Sequence, residues 1–316
     1  MIYFISDSKY TLHNTGYGHP EQPARITAIQ QAVLEANIPL IPLSPSPASL
    51  EDLLRCHTAE YIDLVRREVA ALKNSDKIAF LSTGDALVSA TSWDIALLAV
   101  GGALKAVDHV MQFPNAKAFC AIRPPGHHAT SNAGMGFCIF NNVAIAARYV
   151  QQRYGMRKIL IADWDVHHGN GTQDIFYRDP TVFYFSTHEY GSYPGTGMAE
   201  ETGEGEGRET TLNVPIRVGP HSRTEVVHAF TSTLQKKMQT FQPDFIFISA
   251  GFDAHIQDPL GHLNLTDIDF AHLTQAIVQI ARQYAKGRIV SLLEGGYRLK
   301  ALGPAVVSHL KAFSQQ

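Results

Sequence analysis

The segment from Asp163 to His168 contains two carboxylates and two imidazoles, and it directly follows a largely apolar run at residues 158–162. Such a run is typical of a buried strand. On an extended backbone, Asp163, Asp165 and His167 point to the same side. Carboxylate and imidazole groups are the side chains that bind zinc and iron in proteins. The spacing therefore indicates a metal site at the carboxyl end of a strand.

Asp253 is the best candidate for a further ligand besides Asp165 and His167. It lies just after residues 244–249, which also form an apolar run. Two carboxylates and one imidazole suit zinc with an open position for water and substrate. Ferrous iron accepts a similar set, and the sequence does not separate the two metals. The alternative is that Asp165 and His167 cap a helix while Asp253 lies in a turn.

Adjacent histidines, His127 and His128, follow a third apolar run at residues 117–122 and a stiff Arg-Pro-Pro-Gly segment. They could be ligands, a surface pair or an acid–base pair. If the metal has three other ligands, the pair is free to act on water, whose pKa a metal lowers from about 15.7 to roughly 7. Asp163 and Asn170 are suited to fix one imidazole tautomer each. Since a carboxylate makes an imidazole more basic than an amide does, the two histidines should hold protons to different degrees.

Tyr297 follows two glycines that come after an apolar run at residues 288–293. Glycines allow the backbone to turn tightly and bring the phenol toward the edge of a sheet. A phenol opposite a metal can hydrogen-bond the oxyanion of a tetrahedral intermediate. Taken alone, such a tyrosine would more simply be a packing residue. Because Tyr297 is predicted to lie at the same edge of the sheet as the other candidates, the catalytic interpretation is favoured.

Predicted strands and helices alternate along all 316 residues, with no linker-like break and no repeat. This pattern predicts a single α/β domain, residues 1–316, with a mostly parallel sheet and helices on both faces. Four predicted strands end in loops that carry the residues above, and these loops should converge at one edge of the sheet. Residues 41–48, with three prolines, are predicted to be a connector, residues 190–210 an irregular exposed loop, and residues 225–240 helical.

Composition limits the classes of function. Hydrophobic residues make up 45% and charged residues 17% of the chain, as in globular proteins with a sizeable core. A net charge of −3 does not indicate a protein that binds nucleic acid or an anionic membrane through a basic surface. Three widely spaced cysteines favour reduced thiols over a disulfide framework or a cysteine zinc site. No signal peptide or spanning segment is evident, so a cytoplasmic location is expected.

The candidate residues belong to longer motifs: RPPGHH at 123–128, GFC at 136–138, DWDVHHGNGT at 163–172, GFD at 251–253 and EGGY at 294–297. Together these motifs resemble the zinc-dependent histone deacetylase and acetylpolyamine amidohydrolase superfamily. Trp164 and Asn170 are more similar to class II deacetylases and their bacterial relatives than to class I. The resemblance implies the arginase/deacetylase fold, with an eight-stranded parallel sheet, and it extends over nearly the whole chain.

The resemblance also implies a role for each matching residue. Zinc would be bound by Asp165, His167 and Asp253. His128 would be the general base and acid, and Tyr297 the electrophilic phenol. The remaining members of the implied catalytic group are His127, with Asp163 behind it, and Asn170 behind His128.

Further matches concern substrate and potassium. Phe137 and Tyr193 match positions that line the acyl-lysine tunnel, where the family usually has two phenylalanines. Leu260 matches a tunnel-mouth position and favours acyl-lysine over acetylpolyamine, while Asp85 lies where relatives hold the substrate backbone. Gly136 and Gly295 complete the implied substrate-binding set. A structural potassium ion is implied at the carbonyls of Asp163, Asp165 and His167 together with Ser186 and Thr187.

These observations predict a zinc-dependent amidohydrolase that removes acetyl or other acyl groups from lysine ε-amines. The alternative substrate is an acetylpolyamine or another small N-acyl amine, which the acidic stretch at residues 200–209 could attract. A non-catalytic reader of acylated amines is disfavoured because no catalytic candidate is missing. A di-metal ureohydrolase would need bridging carboxylates that are not found near Asp165. Acyl-chain length and physiological substrate stay open, and a homo-oligomer is compatible with the sequence.

Overall fold

Eight parallel strands form the central sheet of the protein, in the order β2-β1-β5-β10-β9-β6-β7-β8. The structure, a computed structural model, describes residues 1–314, so the last two residues of the predicted domain lie outside the described residues. The strands are β1 (Ile2–Ile5), β2 (Ile41–Leu43), β5 (Lys117–Cys120), β6 (Ile159–Asp163), β7 (Val182–Glu189), β8 (Thr211–Ile216), β9 (Phe245–Ala250) and β10 (Ile289–Leu293). A separate antiparallel pair consists of β3 (Ala79–Phe80) and β4 (Leu87–Val88).

Helices cover both faces of this sheet. Every residue of β5, β6, β9 and β10 is buried, which requires cover on both sides because successive strand side chains point to opposite faces. The helices are α1 (Ala24–Glu35), α2 (Leu50–Leu53), α3 (Ala59–Ala70), α4 (Ser92–Gln112), α5 (Asn142–Tyr154), α6 (Asn170–Phe176), α7 (Ser222–His228), α8 (Leu234–Phe241), α9 (Asp267–Tyr284) and α10 (Leu299–Ser314). Among the described helices, none has the length and apolar character needed to cross a membrane.

The predicted α/β fold with an eight-stranded parallel sheet is confirmed, as is the helical stretch at residues 225–240, but one local prediction was wrong. Part of the supposed connector at residues 41–48 is β2, which pairs in parallel with β1 at the edge of the sheet. Pro42 concealed it, and an edge strand tolerates proline because one side of its backbone needs no partner. The helix predicted at 225–240 begins at Ser222 and is interrupted by a π-helical turn, Ala229–Thr233, between α7 and α8.

Local signals set the boundaries of the elements near the candidate residues. Asn141 caps α5, since its side chain accepts a hydrogen bond from the Ala144 N–H at 3.0 Å. Gly155 ends that helix in the left-handed conformation, with φ of 68°. The residues 190–210 are mostly irregular and exposed, as expected, with one short 3₁₀ turn at Gly205–Gly207.

The four strands β5, β10, β9 and β6 are consecutive neighbours in the middle of the sheet. Their carboxyl ends lead into the loops that carry the two histidines, Tyr297, Asp253 and the Asp165–His167 pair, respectively. The four loops therefore meet at one edge, which is where open α/β sheets place their chemistry.

Candidate active site

Asp165, His167 and Asp253 form a compact cluster of potential metal ligands, with one ligand atom from each lying within 4.8 Å of the others. Asp165 and His167 lie between β6 and α6, and Asp253 lies just after β9. The His167 Nδ1 is 3.1 Å from Asp165 Oδ1 and 3.2 Å from Asp253 Oδ2. Both aspartates are fully buried, and only the imidazole is partly exposed.

Backbone amides hold the two carboxylates in place. Asp165 Oδ1 accepts a hydrogen bond from the His167 N–H at 2.9 Å, and Asp165 Oδ2 accepts one from the Gly295 N–H at 2.7 Å. Asp253 Oδ1 accepts one from the Val166 N–H at 2.9 Å. Within the described residues, the buried Asp253 Oδ2 forms no hydrogen bond of regular geometry, and the candidate ligand atom His167 Nδ1 lies 3.2 Å from it. A buried carboxylate oxygen without a donor is expected where a cation completes the site.

The electrostatics of the cluster also fit a bound cation. Burial and the nearby charge of Asp165 raise the pKa of Asp253 to about 7. Burial alone would raise the pKa of Asp165 too, but His127 and His167 hold it below its usual range. Two buried carboxylates this close to each other repel unless positive charge separates them. The two carboxylates and the imidazole are donors that fit Zn²⁺, and ferrous iron accepts similar donors.

The adjacent histidines have different partners. His127 Nδ1 lies 3.0 Å from Asp163 Oδ2, and His128 Nδ1 lies 2.8 Å from Asn170 Oδ1. Burial by itself would lower the pKa of His127, but the Asp163 and Asp165 carboxylates raise it to about 10. Burial, and next the charge of His127, hold the pKa of His128 well below its ordinary value. At neutral pH the first imidazole is therefore protonated and the second is neutral.

The Tyr297 phenol is buried and firmly positioned. Its backbone N–H donates to Asp258 Oδ2 at 2.7 Å, and the Arg25 guanidinium carbon lies 5.1 Å from the ring centroid. Arg25 Nε also donates to the Gly296 carbonyl at 2.7 Å, on the residue before the tyrosine. Burial and the charge of Asp253 raise the pKa of the phenol well above its ordinary value. The hydroxyl therefore keeps its proton and can serve as a hydrogen-bond donor.

A cavity of about 230 Å³ opens onto these groups. It brings together most of the residues that were expected to contact substrate, and its lining consists of Asp85, His128, Gly136, Phe137, His167, Tyr193, Leu260 and Tyr297. Gly295 is not part of this lining, and its N–H donates to Asp165, so its contact with substrate stays a prediction. A larger groove of about 820 Å³ near Arg148 and Asp179 contains none of the candidate residues.

The rim of the cavity has one contact that the sequence did not suggest. Asp85 Oδ1 accepts a hydrogen bond from the Gly136 N–H at 2.7 Å and a second from the Tyr193 hydroxyl at 3.2 Å. The Tyr193 ring is perpendicular to His128, with 5.1 Å between centroids. The hydroxyl that distinguishes Tyr193 from a phenylalanine is thus used to join two loops across the rim.

Sequence reasoning also missed the supporting roles of Arg25, Asp258 and Glu294. All three are buried charged residues that hold the loop of Tyr297 or the loop of His127. Glu294 belongs to the EGGY motif and Asp258 lies five residues after Asp253, but this says nothing about burial, and Arg25 lies near none of the motifs. All three cysteines are free, as the sequence predicted.

The residues expected to bind potassium lie in the neighbouring strands β6 and β7 and in the loop after β6. Asp163 and Ser186 are directly opposite each other in the register of β6 and β7. Ser186 Oγ lies 2.9 Å from His188 Nδ1, while the buried Thr187 Oγ1 has no hydrogen-bond partner among the described residues. The set of carbonyl ligands stays a prediction.

Comparison with known proteins gives the family. Residues 19–313 match the model of the histone deacetylase domain. The chain belongs to the histone deacetylase family. It is 38% identical to the rice protein "Histone deacetylase 10, chloroplastic" over 308 residues, which cover 93% of this chain and 69% of the relative. It is also 38% identical to the human "Polyamine deacetylase HDAC10", covering 90% of this chain and 43% of the relative.

The solved structure of the HDA15 HD domain has the same architecture. It matches with a TM-score of 0.90 at 33% identity, covering 99% of this chain and 89% of the other. The likeness confirms the expected deacetylase fold. One similar histone deacetylase is chloroplastic by name, so the cytoplasmic location stays a prediction.

Proposed function

We propose that this protein is a zinc-dependent amidohydrolase that removes acetyl or other acyl groups from the ε-amine of lysine. One observation carries the proposal: a neutral His128, a protonated Tyr297 phenol and the ligand cluster with His167 face the same small cavity. A base, an oxyanion donor and a Lewis-acid site within one cavity are what amide hydrolysis requires. Membership of a family of deacetylases supports the same reaction.

Each group has a defined task in the proposed mechanism. Zinc held by Asp165, His167 and Asp253 would polarise the amide carbonyl and make a water acidic enough to lose a proton near neutral pH. His128 takes the proton from the attacking water, since its low pKa keeps the imidazole unprotonated beforehand. The Tyr297 hydroxyl donates a hydrogen bond to the carbonyl oxygen as negative charge develops there.

Collapse of the tetrahedral species breaks the C–N bond. The leaving amine takes a proton from the protonated His128, which restores the neutral base. The products are the free amine and a carboxylic acid, whose proton passes to the amine or to solvent at neutral pH. His127 stays protonated beside Asp163 and contributes positive charge next to the developing anion. The two histidines thus divide base and electrostatic work because one has a carboxylate partner and the other an amide.

The cavity favours a slender acylated amine. Phe137 and Tyr193 contribute aromatic surfaces to it, and Leu260 contributes an uncharged one. These surfaces suit the aliphatic chain of an acyl-lysine, which carries no charge until the amide is hydrolysed. A small N-acyl amine such as an acetylpolyamine is the second candidate. The exposed Asp85 carboxylate at the rim could attract its distal ammonium, and a human relative is named a polyamine deacetylase.

Two structural proposals accompany the activity. We propose that potassium is bound by the carbonyls of Asp163, Asp165 and His167 with Ser186 and Thr187. We also propose that residues 1–316 form one catalytic domain. The buried Thr187 hydroxyl, which has no hydrogen-bond partner among the described residues, supports the potassium site. The contiguous hydrophobic core of the described residues supports the single domain.

The test is a substrate panel at defined metal content. Protein stripped of metal and then reloaded with zinc would be assayed on acetyl-lysine peptide, longer acyl-lysine peptides and acetylputrescine. We expect zinc-dependent hydrolysis with preference for the peptides. Full activity in stringently metal-free protein would contradict the mechanism, and a large preference for acetylputrescine would replace the substrate class.

A further inference from the structure

Glu294 is a fully buried carboxylate at the carboxyl end of β10 that has no assigned role in the mechanism. Its Oε2 accepts hydrogen bonds from the Gly126 N–H at 2.7 Å and the His127 N–H at 3.2 Å. Its Oε1 accepts a third from the Ser249 hydroxyl at 3.1 Å. All three donors are neutral, so they compensate only part of the cost of burying a carboxylate.

The three donors belong to strands or loops that build the site. Gly126 and His127 lie in the loop after β5, and Ser249 lies in β9, four residues before Asp253. The His127 residue is therefore held twice, by Glu294 at its backbone and by Asp163 at its ring. The residue next to Glu294, Gly295, binds Asp165 through its own N–H.

The loop that carries His127 and His128 is closely packed, so it has little room to adopt another position. At Gly126 a Cβ atom would lie 2.6 Å from the Asn142 backbone nitrogen, so this segment is tightly packed against the start of α5. This contact and the hydrogen bonds to the Glu294 carboxylate together confine the backbone that leads into His127 and His128. Glu294 itself is not part of the cavity lining and does not reach the substrate space.

We infer that Glu294 is a positioning residue for hydrolysis: it fixes the His127–His128 pair relative to the metal cluster and to Tyr297. This inference rests on the proposed amidohydrolase function. Proton transfer requires reacting atoms to be aligned, and a misplacement of about 1 Å can cost on the order of 100-fold in rate. Removing the carboxylate lets the loop shift, while substrate binding in the cavity is affected much less.

The decisive comparison is E294A against E294Q. Glutamine has the same shape, its oxygen can accept both backbone hydrogen bonds, and its amide can donate to Ser249 Oγ. For E294A we expect kcat to fall about 10- to 100-fold, with KM changed less than about 3-fold. For E294Q we expect kcat within about 5-fold of the unaltered protein. Zinc content is measured for each, so that loss of metal is recognised separately.

A matched pair of serine variants keeps the test valid if E294A does not fold. S249A removes one hydrogen bond from Glu294, whereas S291A removes a buried hydroxyl of β10 that lies 3.0 Å from His309, away from the site. Both should lower the unfolding temperature to a similar extent. Only S249A should lower kcat, by about 2- to 5-fold, which corresponds to one hydrogen bond.

Two results would overturn the inference: a kcat that is unchanged in both E294A and S249A, or an E294Q variant as impaired as E294A. A further readout does not depend on turnover. The ring NMR signals of His127 and His128 should move in E294A and stay in place in E294Q. If the protein hydrolyses none of the acylated amines, the proposed function fails, while the NMR comparison still decides the positioning role.

Discussion

Gly295 donates its backbone N–H to Asp165 Oδ2 at 2.7 Å, so the loop that carries Tyr297 is hydrogen-bonded directly to a metal-ligand candidate. The approach is close because the residue lacks a side chain. A Cβ atom at position 295 would lie 2.0 Å from Asp253 Oδ2 and 2.6 Å from Asp165 Oδ2. The ligand cluster and the loop that carries the phenol therefore meet at Gly295, and the geometry of this junction requires a residue without a side chain.

Replacing Gly295 with alanine should disrupt the ligand cluster. The added methyl group cannot be accommodated without moving one or both aspartates, so we expect zinc content and kcat/KM to fall at least about 10-fold at limiting metal. Metal analysis and steady-state assays measure both quantities. G219A is the control, since a Cβ at Gly219 meets nothing within 4 Å. Normal zinc content in G295A would show that the junction is more adaptable than the contacts indicate.

Zinc should stabilise the protein more strongly near pH 7 than near pH 5. Without metal, the folded-state pKa of Asp253 is raised to about 7, whereas an unfolded aspartate has about 3.9. The folded state then binds more protons between these values, so its stability falls as the pH rises through that window. Zinc removes this penalty by pairing with the carboxylate.

Thermal unfolding with zinc and with chelator, compared from pH 5 to pH 8, checks this expectation. The difference between the two curves is the relevant quantity, because Glu294, whose pKa is also raised to about 7 by burial, contributes to both. The difference should increase from about pH 5 to about pH 7, and D253N, which removes a ligand as well as this carboxyl group, should make both the difference and its increase smaller. A constant difference would argue against Asp253 as a ligand.

The sequence was sufficient to predict that the candidate residues lie close together, because each of them lies in a loop that follows an apolar strand. Asp165, Asp253, His127 and Tyr297 come from four strands, and the rule that parallel strands end at one edge is enough to bring them together. No property of the amino-acid order predicts that these four strands are consecutive in the sheet. That order follows from how the connecting helices pack, which is a long-range outcome.

What the sequence could not show is how the site is supported. Glu294 belongs to a visible motif, yet its buried hydrogen bonds to Gly126 and His127 span about 168 residues of chain. Arg25 reaches Gly296 across an even longer separation. A charged residue ordinarily lies at the surface, so composition and periodicity favour the wrong environment for both. The edge strand β2 was missed because its proline is typical of a connector.

Tyr297→Phe should retain the fold and the metal while losing turnover. The hydroxyl is the only group removed, and its loss deprives the developing oxyanion of one donor, which costs about 10²- to 10³-fold in kcat. Zinc content and the unfolding temperature should stay close to those of the unaltered protein. A higher KM with an unchanged kcat would instead assign Tyr297 to substrate binding.

Asn170→Asp should move the pH profile of the reaction. Asn170 Oδ1 lies 2.8 Å from His128 Nδ1, and a carboxylate there would favour the protonated imidazole. Since the base must be neutral, the acidic limb of the kcat/KM profile should shift to higher pH. D163N acts on His127 instead: it weakens the positive charge that lowers the pKa of His128, so it should shift the limb in the same direction but less than N170D does. An unchanged profile in N170D would assign base catalysis to another group.

Tyr193→Phe should weaken substrate binding and leave the chemical step nearly intact. The Gly136 N–H and the Tyr193 hydroxyl both use Asp85 Oδ1, so together they hold the carboxylate with its other oxygen available at the rim. One partly exposed hydrogen bond is worth about 0.5–1 kcal/mol, so KM should rise about 2- to 5-fold with kcat within about 2-fold. The effect should vanish in a D85A background if it acts through Asp85. An equal effect with and without Asp85 would assign it to the tyrosine ring and its contact with His128.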